Sequence, residues 1–526
     1  MTAHDELQSA LAGIWRETLG VASIDPDDHF FDLGGNSISN VLISSRAREL
    51  GIPLTTRLLF DNPTVRLLSA ALLEANPALA SGGWAHRSTI PLSPYQKSFL
   101  EHPCEPEVIE LHGQRELDPD LLRAALTAVS ARHEALRLRF VNGPTGWTQS
   151  LADAGEPVAF IRGSGDDLRK SAADQLDITR GPMLAALLDT DEAGHFLLAV
   201  HPLVADRTSQ ALLLDEIALA YEQLADGEPL TTPHAAAPFS RWSRRLNEWL
   251  GEAEADRELA YWRGLAPSDS RPSDTGSSSN ARVTVQVELD EERTSALRDT
   301  LARQPLVDEI DVLLAGVADA VSRWTGDART HVDLDCDGRR GFSDDQDFSA
   351  TVGACTTVFP LVVDVGGTEA GEQVRAVRAA RRAVPRAGAG HGALRRLSLD
   401  PTVREQMAAL PVPEIRVRFL NDDVPALFGE RVVTDPAGTH PVDVTARIHA
   451  GRLQVCVTRS ADVLAHHPVD WLADAIVARM EEIVTELGRG PAHAHSTEDF
   501  PLAGLDSEQL TALLKDLATD EDATAR

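Results

Sequence analysis

Residues 27–69 read DDHFFDLGGNSISNVLISSRARELGIPLTTRLLFDNPTVRLLS. The turn at the centre of this stretch decides how the first part of the chain folds. Gly34 and Gly35 permit positive φ and a close backbone approach. Ser37 then stands at or near the cap of a second helix, with Ile38, Val41, Leu42 and Ser45 along one face. A helix start offers unpaired N–H groups and partial positive charge, so a phosphodiester on Ser37 is favoured there. An ordinary N-cap serine satisfies the same turn. Upstream, Leu7, Leu11, Ile14 and Trp15 recur at helical spacing and Gly20 is a stop; downstream, short helical pieces run to about Leu73.

The whole chain has 526 residues, too many for one ordinary domain, and two to four compact units are expected. Apolar residues make up 43% and charged residues 25%, the balance of a soluble globular protein. No apolar run reaches the roughly eighteen residues a membrane span needs. The N-terminal MTAHDELQSALAGIW lacks the basic start and apolar core of a secretory signal, so a cytoplasmic location is predicted. The net charge is -32, from 49 basic and 81 acidic residues, and would repel nucleic acid and anionic membrane. Proteins or tethered small molecules are the expected partners. Cys104, Cys336, Cys355 and Cys456 are far apart, with no CxxC pair and no Cys/His set at zinc spacing. Reduced, mostly buried thiols and no metal are therefore expected.

Three composition breaks organise the chain. PALASGGWAHRS (77–88) reads as a linker, and APSDSRPSDTGSSSN (266–280) as a polar crossover between two lobes. A tail begins at Ser496. The predicted division is 1–77 as a helical unit, 78–87 as a linker, 88–265 and 281–495 as two lobes joined by 266–280, and 496–526 as a tail with a possible docking helix. Within the lobes, ARVTVQVELD alternates as a strand does, and LLRAALTAVSARHEALRLRF reads as an amphipathic helix running into a strand.

The stretch 27–69 resembles the carrier domain of non-ribosomal peptide synthetases over its whole length. The family core reads roughly DxFFxLGGxS, and Asp28, Phe30, Phe31, Leu33, Gly34, Gly35 and Ser37 occupy its fixed positions. The match covers about residues 5–75. It implies an all-α four-helix bundle, a 4'-phosphopantetheine on Ser37 attached by a phosphopantetheinyl transferase, and substrates carried as thioesters. Family members that serve epimerisation domains often have Asp before the serine, and those that serve condensation domains often have His. Asn36 does not decide between them.

Residues 88–495 resemble the condensation/epimerisation superfamily, an α/β fold of two chloramphenicol-acetyltransferase-like lobes. LSPYQKSFLEH (92–102), RHEALRLRF (132–140) and VHPLVADRTS (200–209) look like the first, second and active-site motifs. FSATVGACTTVFPLVVDV (348–365), VPRAGAGHGALRRL (384–397), GRLQV (451–455) and the tail STEDFPLAGLDSEQLTALL have the epimerisation pattern. An epimerisation domain is thus the nearer relative by motif.

Epimerisation needs a base of near-neutral pKa close to the substrate α-carbon and a second acid/base group opposite. In the family these are the second His of HHxxxD and the Glu of VxLEGHGR. Here His201 and Asp206 match the first His and the Asp, while Pro202 falls on the catalytic His and has no proton to exchange. In VDLDCDGRR, Asp335 falls on the Glu, and Cys336-Asp337 replaces Gly-His. Ala354-Cys355 replaces Trp-Phe, His391 replaces a Tyr, and RFLND (418–422) replaces an NYLGQ-like stretch. The resemblance therefore predicts a domain without ordinary epimerase or condensation activity.

The remaining candidates for chemistry are His201, Asp206, Asp335 and His391. By the family's pattern, His201 and Asp206 hold the loop, with a His–carboxylate contact as one means. His391 reads as a surface or turn histidine, with a substitute base as the sharper alternative. Cys336 is flanked by Asp335 and Asp337, which argues against a reactive thiolate. Three functions follow. One is a platform that presents the Ser37-bound substrate to an oxygenase or other tailoring enzyme acting in trans, as the X-domains of glycopeptide synthetases do. Another is a repurposed enzyme of the same fold, acting through residues such as His391, Asp335 or Asp206. The third is residual epimerisation. No stretch is left for an adenylating domain, so loading by a separate protein or by a portion outside this chain is expected, and the tail reads either as a helix that docks on a downstream synthetase subunit or as a frayed terminus.

Overall fold

Two apolar runs, LAALL and HFLLAV, build the centre of one sheet in the computed structural model. They form β5 (Leu184–Asp189) and β6 (His195–Val200), and every residue of β6 is buried. Strands covered on both faces lose the polar alternation of a half-exposed strand. The remaining strands are β1 (Glu107–His112), β2 (Leu138–Gly143), β3 (Gly146–Leu151), β4 (Ala159–Gly163), β7 (Arg282–Glu288), β8 (Arg329–Asp337), β9 (Thr356–Asp364), β10 (Ile415–Asn421), β11 (Glu430–Val432), β12 (Val442–His449) and β13 (Arg452–Ser460). The first sheet has the order β11-β1-β6-β5-β4, the second β7-β13-β12-β10-β8-β9, and β2-β3 is a separate hairpin.

Two of these pairings place the site. Strand β10 runs parallel to both β8 and β12, which sets Arg416 opposite Asp333 and Arg418 opposite Thr445. Strand β11, late in the chain, pairs with β1 of the first sheet and so ties the second half of the chain to the first.

The structure describes residues 3–19, 21, 24–36, 39, 40, 42–44, 47, 52, 54–75, 90–103, 105–144, 146–152, 158–165, 167–231, 237–265, 282–304, 306–342, 346–365, 369–432, 440–460 and 470–489. The predicted linker 78–87, the crossover 266–280, the tail 496–526, Cys104 and Ser37 lie outside them. Residues 1–91 with 140–151 make one compact unit, and 92–139 with 152–526 make another.

The N-terminal unit has helices Ala3–Leu19, Thr56–Asp61 and Val65–Ala75, with further helical residues between Ser39 and Ala47. Leu7, Leu11, Ile14 and Trp15 are buried with Phe30, Ile43 and Leu68 in one core. Trp15 meets Phe30 edge to face at 5.2 Å. The N-terminal helix ends at Leu19, one residue before the predicted Gly20 stop.

Further along the chain, the predicted helix-to-strand passage is Pro119–Arg132, a 3-10 turn at Glu134–Arg137, and β2. Asp118 caps this helix through the N–H groups of Asp120 and Leu121, and Pro119 takes the first helical position, where no donor is lost. The predicted ARVTVQVELD strand is β7, an edge strand paired with β13. Together these give the expected architecture, a helical N-terminal unit and an α/β unit built on two main sheets.

Candidate functional site

The glycine turn of the N-terminal unit is built around Asn36. Its carbonyl accepts from Asn40 N–H at 2.9 Å, and its Oδ1 accepts from Ser39 N–H at 3.1 Å, while its own N–H donates to Ser39 Oγ at 2.7 Å. These bonds make Asn36 the N-cap. Gly34 has φ +88°, and a Cβ on Gly35 would lie 2.5 Å from the Phe30 ring, so both positions exclude larger residues. A tight glycine turn feeding a capped helix start fits a phosphodiester on the following residue.

In the larger unit, His201 and Pro202 follow β6, and Asp206 caps the helix Arg207–Ala225. Asp206 is buried and fully engaged. Arg339 Nη2 donates to its Oδ1 at 2.8 Å and Nη1 to its Oδ2 at 3.0 Å. Ser209 N–H and Oγ donate to Oδ1 at 2.9 and 2.8 Å, and Cys355 N–H donates to Oδ2 at 2.9 Å. Burial pushes the Asp206 carboxyl upward, but Arg339 and the Ser209 bonds outweigh it and hold it below the usual carboxylate range. Arg339 also donates to the Thr351 carbonyl at 2.8 Å and to Asp337 at 2.7 Å. The pair locks the end of β8 to the loop before β9 and to the helix start.

The expected His–carboxylate contact is replaced by this Arg–carboxylate pair. His201 instead accepts Leu203 N–H at its Nδ1 (3.2 Å) and meets the Phe99 ring edge to face at 5.3 Å. Its tautomer therefore carries the proton on Nε2. Burial lowers the imidazole to about 4, so the ring is neutral near pH 7. Pro202 is half-buried in the turn beside it.

Asp335, on β8, is clamped by the guanidinium of Arg416 from β10, with Nε and Nη2 at 2.6 and 2.7 Å from its two oxygens. Burial alone would lower Arg416, and Asp335 reverses that. This bidentate pair engages both oxygens of the carboxylate. Burial pushes the Cys336 thiol up to about 12, with Asp335 and Asp337 adding to the rise. Cys355 is fully buried and shifted well up for the same first reason. Cys336, Cys355 and Cys456 are all free thiols.

The segment 418–422 enters a buried polar seam. Arg418 Nε donates to Thr445 Oγ1 at 3.0 Å. Asp422 pairs with Arg207 at the start of the helix Arg207–Ala225. Arg207 also holds Glu107 of β1 at 2.6 Å, and Arg431 of β11 joins Glu107 at 3.1 Å. The seam thus ties β10 and β11 to β1 and to the helix that follows the His201 loop.

His391 corrects the expectation of a surface or turn histidine. It is buried within the helix Ala389–Arg396, donates from Nδ1 to the Val358 carbonyl at 3.1 Å, and meets Trp262 edge to face at 4.8 Å. Burial lowers it to about 4. Behind Trp262 lies a residue with no sequence signal. Glu258 is buried, accepts Trp262 Nε1–H at 3.1 Å, and is raised by burial to about 7. Gly390 makes room for it, since a Cβ there would lie 2.2 Å from Glu258 Oε1. Glu258 lines a cavity of about 460 Å³ with Arg257, Arg340 and Arg386. Arg386 has φ 48° and Ala387 φ 48°, a left-handed backbone that costs non-glycine residues energy.

The chain belongs to the condensation-domain family. The family model described as Condensation domain matches residues 88–410, and the one described as Phosphopantetheine attachment site matches 9–72. The chain thus combines a 4'-phosphopantetheine attachment domain with a condensation-type domain that follows it. A linear gramicidin synthase of Brevibacillus parabrevis is 30% identical over 554 residues, covering 96% of this chain and 7% of the relative. A chondramide synthase of Chondromyces crocatus is 30% identical over 558 residues, covering 98% of this chain and 14% of the relative. The chain therefore spans a small part of the curated relatives it matches. Among solved structures, the epimerization domain from the third module of tyrocidine synthetase B matches with a TM-score of 0.66 at 22% identity, over 76% of this chain and 98% of that one. The complex of the X-domain and OxyB from teicoplanin biosynthesis matches with a TM-score of 0.54 at 19% identity, over 76% of this chain and 94% of that one. At these identities the likeness is one of fold. No helix among the described residues is long and apolar enough to cross a membrane.

Proposed function

We propose that this didomain carries an aminoacyl or peptidyl thioester on a phosphopantetheine at Ser37 and that its condensation-type domain is a platform without ordinary epimerase or condensation chemistry. When bound, the phosphopantetheine supplies the thiol that holds the substrate. The observation that carries the reading is Pro202 in the place where the family has its catalytic His. The neighbouring groups support it. Asp206 is consumed by Arg339 and Asp335 by Arg416, and His201 is a neutral loop residue. The fold shared with an X-domain solved together with OxyB supports recruitment of an oxygenase or another trans-acting tailoring enzyme. An adenylating activity would load the carrier, and the tail 496–526 would dock on a downstream synthetase protein.

The test is binding. The full chain, phosphopantetheinylated and loaded at Ser37, is titrated with tailoring enzymes encoded beside it. Saturable binding that survives S37A but is lost on deleting the condensation-type domain is expected. Absence of binding to every such enzyme overturns the platform reading.

One observation favours the alternative of a repurposed enzyme. Glu258 combines a pKa near 7 with a cavity and three arginines, a setting suited to a general base. A mass change of the Ser37-bound substrate that disappears in E258Q would establish this second reading and displace the first.

A further inference from the structure

At the end of the first sheet, where β1 finishes and β6 begins, two histidines and three carboxylates converge. His112 closes β1 and His195 opens β6, and the antiparallel register sets them opposite each other. Their rings are parallel, with centroids 4.3 Å apart. Each ring has its Nδ1 on a carboxylate oxygen, His195 on Asp189 at 2.8 Å and His112 on Glu192 at 3.0 Å. Each also turns its Nε2 toward one atom, Glu110 Oε1, at 3.1 Å from His195 and 3.7 Å from His112. The other oxygen of Glu110 is taken by Arg169.

The ligand atoms of Glu110, His112 and His195 lie within 4.8 Å of one another, close enough to share one cation. A carboxylate on the outer nitrogen of each ring is also the partner that metal-bound histidines have, because it fixes the tautomer and raises the basicity of the ligating nitrogen.

We propose that Glu110, His112 and His195 form a binding site for a divalent d-block cation, with zinc as the best fit. Two imidazole nitrogens and one carboxylate oxygen are a zinc-type donor set, with a fourth position for water. Ligands at ordinary Zn–N and Zn–O distances in a tetrahedron lie about 3.3 Å from one another. The separations of 3.1 and 3.7 Å bracket that value. Parallel rings cannot both aim in-plane lone pairs at one ion, so one must tilt. His112 is the ring free to do so, at 36% side-chain exposure against 8% for His195. The bound ion would pin β1 to the turn between β5 and β6. Asp189 and Glu192 act as positioning residues.

The test uses the full chain without an affinity tag, stripped with a chelator and titrated with Zn2+ against a chromogenic zinc indicator. Co2+ replaces zinc in a parallel titration read by its visible absorption. One saturable site is expected, with the absorption of tetrahedral Co2+. H112A and E110Q should weaken it by at least about tenfold, and D189N by about 10–100-fold through the positioning of His195. H195A serves as a further variant where circular dichroism shows it folded, and the exposed His112 keeps the test open where it does not. The chain has 17 histidines, so uptake could occur elsewhere. Uptake unchanged in H112A and E110Q, or no saturable uptake at all, overturns the proposal.

Discussion

Replacing Glu258 by Gln keeps an acceptor for Trp262 Nε1–H and removes only the titrating group. The folded carboxyl is raised by burial from 4.5 to about 7, against the opposing pull of Trp262 and Arg386. A carboxyl whose folded pKa is raised is favoured in its protonated form by the fold. Its contribution to stability is greatest in acid and is lost as pH rises from the unfolded value through the folded one. A shift of this size corresponds to about 3.4 kcal/mol in full, and about 2.5 kcal/mol of it falls between about pH 5 and about pH 8. Urea unfolding followed by tryptophan fluorescence at several pH values, on the wild-type chain and E258Q, reads the effect. Titrations common to both chains cancel in the difference. E258Q should gain about 2.5 kcal/mol relative to wild type across that window. A difference that stays flat to within about 1 kcal/mol would refute a buried, near-neutral Glu258, and with it the alternative enzymatic reading.

Further outcomes follow from the same contacts. D206N leaves Arg339 buried with its main counter-charge removed and should cost about 3–5 kcal/mol, seen as a lower melting temperature of the larger unit. D206N/R339M should recover part of that loss. For His391 the sign is opposite to that of Glu258. Its folded value, lowered from 6.5 to about 4 by burial, means that the ring must charge on unfolding. Its stability is present above about pH 6.5 and is lost as pH falls toward 4, so H391Q should flatten the acid limb of the stability profile by up to about 3.4 kcal/mol. P202H restores an imidazole but leaves Asp335 clamped by Arg416. No D-product should accumulate by chiral analysis of the released substrate, although a working acid/base group is worth about 10²–10⁴-fold in rate. Appearance of D-product in P202H would show that the proline alone silences the domain.

Local features were readable in the chain itself. The apolar runs of β5 and β6, the Asp118-Pro119 helix start and the Leu7–Trp15 face depend on residues a few positions apart, so periodicity and capping chemistry suffice to find them. The glycine turn before Ser37 is legible for the same reason, because only glycine tolerates the φ of Gly34 and the crowding at Gly35. The absence of a base at Pro202 is likewise a fact of composition, since no fold can give proline a titrating proton.

What those residues do together is a matter of tertiary structure. Asp206 reads as a loop residue, but its partner Arg339 is 133 positions away, and Asp335 meets Arg416 across 81. His391 looks like part of a glycine-rich turn until Trp262 and Val358 bury it. Glu258 is an unremarked glutamate on a charged helix until Gly390 and Trp262 close over it and move its pKa. Glu110 and His195, 85 positions apart, share no motif spacing and are joined only by the pairing of β1 with β6. Charge pairing, desolvation and ligand geometry depend on distances of a few ångströms, and folding, not spacing along the chain, sets those distances.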